Sequence, residues 1–196
     1  MQLLVATRNR HKLKELRDLL TELNLDVISS ADVPGLQEVV EDAETLRDNA
    51  IKKAVETARF AKKLTLADDT GLEVVALNGE PGIRSARFAG EPKSDQRNNE
   101  KLIELLQGHA NRKAHYYCVM VLVRWPEDPQ PIIAEGAMYG EIIDTPRGDG
   151  GFGYDPYFLI PEFGQTGAEI PMDVKNRISH RGKALAVLVE KLRASL

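Results

Sequence analysis

The chain has 196 residues, 42% of them hydrophobic, so it can bury one sizeable core and is too short for two full domains. Thirty acidic and 26 basic side chains leave a net charge of −4, which excludes the overall basic field that draws a protein to nucleic acid or anionic membrane. Cys118 is the only cysteine, so disulfides within the chain and zinc sites built from several thiolates are excluded.

The first apolar run begins at Leu3 with no basic leader before it, and no run approaches the roughly 20 apolar residues that a membrane-spanning helix needs. We therefore expect a single domain over residues 1–196, in a soluble cytoplasmic protein that binds neither membranes nor nucleic acid.

The first half of the chain alternates between apolar runs and helical patterns. Residues 3–6 predict a short buried strand, and leucines at helical spacing over residues 13–23 predict a helix after a polar turn. A second amphipathic helix is expected over about 44–63. Two apolar runs follow, 64–67 and 72–77, with Asp68, Asp69 and a predicted Thr70-Gly71 turn between them.

The second half predicts a third helix, several successive strands and a last helix. Ser94 can cap a third helix that ends at Gly108 and turns four apolar side chains inward: Leu102, Ile103, Leu105 and Leu106. Residues 116–125 predict a central strand covered on both faces, and 132–134, 138–143 and 157–160 predict further strands. A last helix contains Leu185, Leu188, Val189 and Leu192. The pattern predicts an α/β fold with a mixed sheet.

Asp68 and Asp69 form the most informative pair. Like charges this close suppress each other's ionisation unless a metal ion or basic side chains offset the repulsion. Two carboxylates at a strand end are well placed to hold a hard divalent cation. Mg²⁺ and a phosphate substrate are therefore the first hypothesis, and a solvated acidic turn is the alternative.

Thr7, Asn9 and Lys12 lie between the first strand and the first helix. A helix N-terminus binds anions through its free N–H groups and the positive end of its dipole. The segment therefore predicts a phosphate site, although an ordinary capped helix with surface cations would carry similar residues.

On the second helix, Thr45, Asn49 and Lys53 form one polar stripe, and Glu41 precedes it. A carboxylate and an amine on this edge could complete a metal and phosphate site begun by Asp69. A solvated helix face would give the same pattern.

Four glycines in the six residues 148–153 are interleaved with aromatic residues. Phe152 and Tyr154 are candidate stacking platforms for a nucleobase, and Asp155 could accept hydrogen bonds from base edges. A tight turn before the next strand is the alternative.

Shortly before the last helix, His180 and Arg181 follow Lys175. Arg181 and the backbone there offer donors to a carbonyl oxygen. A lone histidine is more often structural than catalytic, and without a partnered serine or cysteine nucleophile we assign no triad.

The order of these motifs along nearly the whole chain resembles that of the Ham1/RdgB family of inosine/xanthosine triphosphate pyrophosphatases. Five segments carry the resemblance: Thr7-x-Asn9-x-x-Lys12, Asp68-Asp69-Thr70-Gly71-Leu72, Pro81-Gly82-Ile83 with Ser85-Ala86-Arg87-Phe88, Gly150-Gly151-Phe152-Gly153-Tyr154-Asp155-Pro156, and Ile178-Ser179-His180-Arg181-Gly182. The resemblance implies an elongated mixed β-sheet flanked by helices in two lobes, a central active-site cleft, a homodimer and dependence on Mg²⁺.

The resemblance also implies a role for each matching residue. Glu41 and Asp69 would bind the metal, with Asp69 as general base and Lys53 as a second catalytic residue. The triphosphate would contact Thr7, Asn9, Lys12 and Lys53. Other substrate contacts would come from Thr70, Arg87, Phe152 (stacked on the base), Gly153, Tyr154, Asp155 and, at the 6-oxo edge, Lys175, His180 and Arg181. Departures at Arg8, Asp48, Thr70 and Arg84 remove no group that the chemistry requires.

These roles predict that a water oriented by Asp69 attacks the α-phosphorus of a deaminated purine nucleoside triphosphate and releases pyrophosphate. Two alternatives stay open: a Maf-type pyrophosphatase acting on pyrimidine or modified nucleotides, and a nucleotide-binding module without catalysis.

Overall fold

The computed structural model describes residues 2–21 and 25–194. These residues form an α/β fold, as predicted. In chain order its elements are β1 (Gln2–Val5), α1 (Arg10–Leu20), β2 (Asp26–Ser29), α2 (Leu46–Ala61), β3 (Thr65–Val74), α3 (Asp95–Leu105), β4 (Lys113–Val123), β5 (Ile132–Ile142), β6 (Phe158–Ile160), β7 (Gln165–Thr166), α4 (Met172–Ile178) and α5 (His180–Ala194).

The strands form one mixed sheet in the order β2-β1-β3-β4-β5-β6-β7. β1 pairs in parallel with β2 and β3, so that Leu4 lies opposite Ile28 and Thr65. β6 pairs antiparallel with β5 and β7. The central strand is β4, whose residues from Cys118 to Val123 are all buried. Its continuous apolar run predicted this position because both faces of a central strand are covered.

The chain divides into two compact units, whose boundaries fall within β3, β4, β5 and the first turn of α5. The first unit contains the chain up to Asp69, Cys118–Gly136 and the chain from Arg181, and the second contains Thr70–Tyr117 and Ala137–His180. Each unit has a hydrophobic core of its own. The first core includes Leu3, Leu16, Leu66, Met120 and Leu185, and the second includes Leu72, Leu102, Tyr116, Tyr154 and Phe158. The prediction of a single domain over 1–196 stays a prediction.

The predicted turn at Thr70-Gly71 is wrong, because β3 continues through it for ten residues. Gly71 allows the backbone of Gly82 to pack closely against β3, and it does not reverse the direction of the chain. A Cβ on Gly71 would lie 2.5 Å from the backbone oxygen of Gly82, so the strand can lie against that backbone only without a side chain. Asp68 and Asp69 therefore lie in the middle of a strand and not at its end.

Other predicted boundaries also shift. The two strands predicted at 132–134 and 138–143 are one strand, β5. Leu105 was predicted to point inward but is 41% exposed, since the buried face of α3 follows Asn98, Asn99 and Leu102. His180 and Arg181 open α5 instead of preceding it. β2, β7 and α4 were not predicted, and Leu23 lies outside the described residues.

Among the helices of the described residues, none combines the length and the apolar character needed to cross a bilayer.

Candidate active site

Asp68 and Asp69 point to opposite faces of the sheet, because successive side chains of a strand alternate. Asp68 Oδ2 lies 2.9 Å from Lys12 Nζ of α1 and 3.4 Å from Arg181 Nη2 of α5. Asp69 Oδ1 lies 3.4 Å from Lys53 Nζ of α2. Both carboxylates are buried, so the alternative of a solvated acidic turn is wrong. Asp68 thus contacts Lys12 and Arg181, whereas Asp69 contacts Lys53.

Lys53 connects the groups around Asp69. Its Nζ donates to Glu41 Oε1 at 2.5 Å, to the backbone oxygen of Asp68 at 2.7 Å and to Asp69 Oδ1 at 3.4 Å. One turn earlier on α2, buried Asn49 accepts a hydrogen bond from the backbone N–H of Ala43 and so ties the segment that carries Glu41 to the helix. Asn49 and Lys53 are therefore not on a solvated helix face. Thr45, expected on the same stripe, is the N-cap of α2.

Electrostatics give the two aspartates different pKa values. Burial raises the pKa of Asp69, and Lys53 and Lys12 offset this only in part. Burial also opposes ionisation of Asp68, but Lys12, Arg181 and Lys53 together hold the pKa of Asp68 far below its usual range. Asp68 is thus a permanent anion, whereas Asp69 has the greater proton affinity that a general base needs.

Lys53 stays an ammonium ion in this cluster. Its burial alone would lower the pKa of Lys53, but the carboxylates of Asp69, Glu41 and Asp68 outweigh burial and raise it. A positive charge is thereby maintained beside the candidate base.

The start of α1 is a capped helix N-terminus. Asn9 Oδ1 accepts from the backbone N–H of His11 at 2.9 Å and of Lys12 at 3.2 Å, and Thr7 Oγ1 accepts from Asn9 N–H at 3.2 Å. Because capping uses the amide oxygen of Asn9, its NH₂ group is available as a donor. The side chain of Arg8, at a position where the resemblance showed a departure, donates to the backbone oxygen of Leu36.

Glu41 and Asp69 are oxygen ligands of the kind that Mg²⁺ prefers, and both contact the Nζ atom of Lys53. Within the described residues, no group of three or more His, Cys, Asp and Glu side chains could hold a metal ion. Mg²⁺ seldom needs such a cage, since it usually binds one or two carboxylates and completes its shell with water and substrate phosphates. The two carboxylates therefore fit the predicted metal, and Mg²⁺ itself stays a prediction.

In the second unit, the glycine-rich loop is built around Asp155. Asp155 Oδ2 accepts from Phe152 N–H at 2.8 Å and from Lys175 Nζ at 2.6 Å. Gly151 has φ +69°, and a Cβ there would lie 2.2 Å from Asp155 Oδ2. Lys175 Nζ lies 5.6 Å from the centroid of the Phe152 ring. The loop thus places an aromatic ring beside a buried ion pair and is more than a tight turn.

Tyr154 has an internal role. Its hydroxyl donates to the backbone oxygen of Ser85 at 2.8 Å, and its ring belongs to the second core. Burial raises the pKa of Tyr154, so the hydroxyl remains a donor. Of the two aromatic candidates, the half-buried Phe152 is the one that retains an accessible face.

The remaining predicted residues fall into both units. Arg181, in the first unit, is buried and pairs with Glu15 as well as with Asp68. His180, in the second unit, stacks on Tyr116 with ring centroids 4.7 Å apart. Thr70 follows Asp69 in β3, and Arg87 ends the 3-10 helix Gly82–Arg87. Direct substrate contacts by these four side chains stay predictions.

The sequence alone did not predict three buried polar residues: Glu15, Asn98 and Asn99. Glu15 is buried on α1 and pairs with Arg181 of α5, a partner that no local pattern indicates. Asn98 and Asn99 are buried on α3. Adjacent asparagines are unfavourable inside a helix, and their presence there was a signal of hydrogen bonds to other segments.

Comparisons with known proteins cover the full chain. A sequence model described as the Ham1 family matches residues 3–191. The dITP/XTP pyrophosphatase of Ralstonia nicotianae is 51% identical over 195 residues, which cover 98% of this chain and 96% of that protein. The dITP/XTP pyrophosphatase of Nitrosomonas europaea is 50% identical over 191 residues, covering 97% and 94%. The solved structure of the Staphylococcus aureus Ham1 protein superposes with a TM-score of 0.87 at 38% identity and covers 100% of both chains.

Proposed function

Because the chain belongs to the Ham1 family, we propose that it hydrolyses deaminated purine nucleoside triphosphates to the nucleoside monophosphate and pyrophosphate. The substrates would be ITP, dITP and XTP, and the role would be the removal of deaminated precursors from the nucleotide pool. One observation carries the proposal: Lys53 Nζ contacts both Glu41 and Asp69, so a candidate base, a carboxylate partner and a cation form one cluster.

In this proposal, Asp69 orients a water molecule and takes its proton as the water attacks the α-phosphorus. Lys53 Nζ lies 3.4 Å from Asp69 Oδ1 and so holds this carboxylate in place. Lys53 and Lys12 bear fixed positive charges that stabilise the negative charge on the departing pyrophosphate. Thr7 and the NH₂ group of Asn9 contribute neutral donors to the phosphates.

Glu41 and Asp69 would hold Mg²⁺, which, when bound, would neutralise phosphate charge. The ionised carboxylate of Asp68 has a different role, which is to orient Lys12. Since Asp68 binds Lys12 at 2.9 Å, it fixes the direction of that ammonium group.

For the base, we propose stacking on Phe152 and a hydrogen bond from Lys175 to the 6-oxo oxygen. Lys175 Nζ donates to Asp155 Oδ2 at 2.6 Å and lies 5.6 Å from the centroid of the Phe152 ring, so it is close to the proposed stacking position. Adenine has an amino group at position 6, so a donor directed at that position would lose its partner in a buried pocket, at about 1 to 3 kcal/mol. This difference favours deaminated purines. We also expect a homodimer and a cytoplasmic location.

One assay tests reaction, metal and selectivity together. Pyrophosphate release is measured from inosine, xanthosine, guanosine and adenosine triphosphates and from a pyrimidine panel, each with Mg²⁺ and with a chelator. We expect Mg²⁺-dependent release from the inosine and xanthosine compounds. Preference for pyrimidines would favour a Maf-type activity, and binding of inosine triphosphate without turnover would favour a nucleotide-binding module.

A further inference from the structure

We propose that Asp95 and Asn99 of α3 are positioning residues for base recognition, because they hold both backbone groups of Gly153 in the loop that carries Phe152. The inference rests on the proposed function, in which Phe152 stacks on the base. It adds two residues that were not among the predicted site residues.

The contact is a two-point clamp. Gly153 N–H donates to Asp95 Oδ2 at 2.9 Å, and Asn99 Nδ2 donates to the backbone oxygen of Gly153 at 2.9 Å. Asp95 and Asn99 are four residues apart on one helix, so both side chains lie on the same face. A residue held at its N–H and at its C=O can neither shift nor rotate without breaking one of these bonds.

The clamp lies directly beside the groups assigned to the base. Phe152 precedes Gly153, and its N–H is held by Asp155. Tyr154 follows Gly153, and its hydroxyl is held by the backbone oxygen of Ser85. Three consecutive residues are therefore held, one by Asp155 of the same loop, one by α3 and one by the backbone of Ser85, and these contacts set the position of the Phe152 ring before a substrate arrives.

The same helix also holds the segment that accepts the Tyr154 hydroxyl. Asn98 Nδ2 donates to the backbone oxygens of Ser85 and Ala86 at 3.3 and 3.2 Å, and Asn98 Oδ1 accepts from Ala89 N–H at 2.8 Å. α3 thus presents neighbouring asparagines to two different loops. Asparagine is a poor helix former, so these buried residues weaken the helix locally while they position the loops.

The two bonds of the clamp differ in strength. Asn99 is buried, whereas Asp95 is exposed and water competes for its bond with Gly153. We expect Asn99→Ala to raise KM for inosine triphosphate about tenfold and Asp95→Ala to raise it about threefold. The value of kcat should stay within about twofold, because neither substitution touches Asp69 or Lys53.

Two controls separate positioning from general damage. Asp95→Asn keeps an acceptor oxygen but removes the charge at the start of α3, so it should retain the wild-type KM. Gln96→Ala changes an exposed residue of the same helix, whose side chain donates a hydrogen bond to Glu100. It should also leave KM unchanged. Asp95→Ala alters a surface residue and tests the clamp even if Asn99→Ala does not fold.

Two measurements decide the question. Steady-state kinetics show whether each variant changes KM while kcat stays the same, and amide hydrogen exchange over residues 150–156 shows whether the Gly153 amide is released. Asp95→Ala should release the Gly153 amide to exchange, and Asp95→Asn should keep it protected. A Gly153 amide that stays protected in Asp95→Ala would overturn the clamp. Faster exchange with an unchanged KM, or an equal KM change in Gln96→Ala, would overturn its role in recognition. Exchange does not require turnover, so failure of the proposed function would show separately, as no hydrolysis by the wild type.

Discussion

Asp68 and Asp69 are adjacent in sequence, yet they have different chemical roles, because strand geometry sends them to opposite faces. Asp68 is held by Lys12 and Arg181, and its carboxylate stays ionised. Asp69 shares one cation, Lys53, with Glu41, and burial raises its pKa. Burial opposes ionisation of both carboxylates, but Lys12, Arg181 and Lys53 together outweigh it at Asp68, whereas Lys53 and Lys12 offset it only in part at Asp69.

Asp69→Asn should abolish most of the hydrolysis while the protein remains folded. An amide keeps the size of the side chain but cannot accept the proton, so kcat should fall by about a hundredfold to ten-thousandfold. Pyrophosphate release and circular dichroism measure the two effects. Asp42→Asn is the matched control, since Asp42 is exposed and pairs with Lys52 at the surface. Full turnover by Asp69→Asn would remove the assignment of the base.

The double role of Asn9 gives a second test at the level of one side chain. Asn9→Asp keeps the oxygen that caps α1, so stability should change by less than about 0.5 kcal/mol. It also replaces an NH₂ donor by a negative charge where phosphates are proposed to bind, so KM should rise by about tenfold or more. Asn9→Ala should lose about 1 kcal/mol of stability as well. Thermal unfolding and steady-state kinetics separate the two effects, and an unchanged KM for Asn9→Asp would contradict a phosphate contact.

Residue types and their spacing alone predict most of the candidate site. The physics of helix N-termini indicates Thr7, Asn9 and Lys12, and the repulsion between adjacent acids indicates the pair Asp68 and Asp69, of which the family resemblance selects Asp69. Glu15 and Asn99 were missed because each acts through a partner far away in sequence: Arg181 for Glu15 and Gly153 for Asn99. Local patterns hold no information about such pairs, although an unfavourable polar residue inside a helix indicates that one exists.

Among the elements, β3 shows how a local signal misleads. Acidic residues followed by Thr-Gly are typical of a turn, but here they form the middle of a strand. Backbone pairing outweighs the weak strand preference of Asp and Gly, and the lysines and Arg181 stabilise the buried charges. β4 was predicted well because a long apolar run depends little on its surroundings. β7 has two residues and offered no pattern to detect.

Substitutions at two glycines test the account of β3. Gly71→Ala places a methyl group 2.5 Å from the backbone oxygen of Gly82, and a backbone atom cannot swing aside as a side chain does. We expect a loss of about 2 to 3 kcal/mol in the free energy of unfolding. Gly79→Ala has open space but φ +90°, so it should cost only about 1 kcal/mol. Denaturant unfolding of both variants gives the order, and a smaller loss for Gly71→Ala than for Gly79→Ala would contradict the close-approach explanation.

At the scale of the whole molecule, composition and periodicity predicted the α/β class and the mixed sheet, and both are confirmed. The order of strands could not be predicted, since it depends on which apolar faces meet once the helices pack. The division into two units was anticipated through the family resemblance alone. It has a physical basis in the two separate cores, because each unit buries its own apolar side chains.

The free energy of unfolding depends on pH, and the ion pair between Arg124 and Asp128 contributes to this dependence. Asp128, in the connection between β4 and β5, accepts from Arg124 Nε and Nη2 at 2.8 Å each and from the backbone N–H groups of Arg124 and Gln130 at 3.0 Å each. The hydrogen bonds from the Arg124 side chain are the main cause that lowers the pKa of Asp128 to about 2. The unfolded chain has an aspartate pKa of about 3.9. Because the folded pKa is the lower one, the stabilisation is complete above about pH 4 and is lost as pH falls towards 2.

Asp128→Asn should therefore destabilise the protein at neutral pH and not in strong acid. At pH 7 the loss should be about 1 to 2 kcal/mol, since Arg124 is partly exposed and solvent screens the pair. The difference from wild type should shrink below about pH 4 and be largely lost at pH 2. Denaturant unfolding between pH 2 and 7 measures it. Asp173→Asn is the control, because Asp173 is exposed and its ion pair with Arg177 spans 3.9 Å, so it should cost less than about 0.5 kcal/mol at any pH. A difference for Asp128→Asn that persists unchanged at pH 2 would show that packing, and not the charge of Asp128, holds this connection.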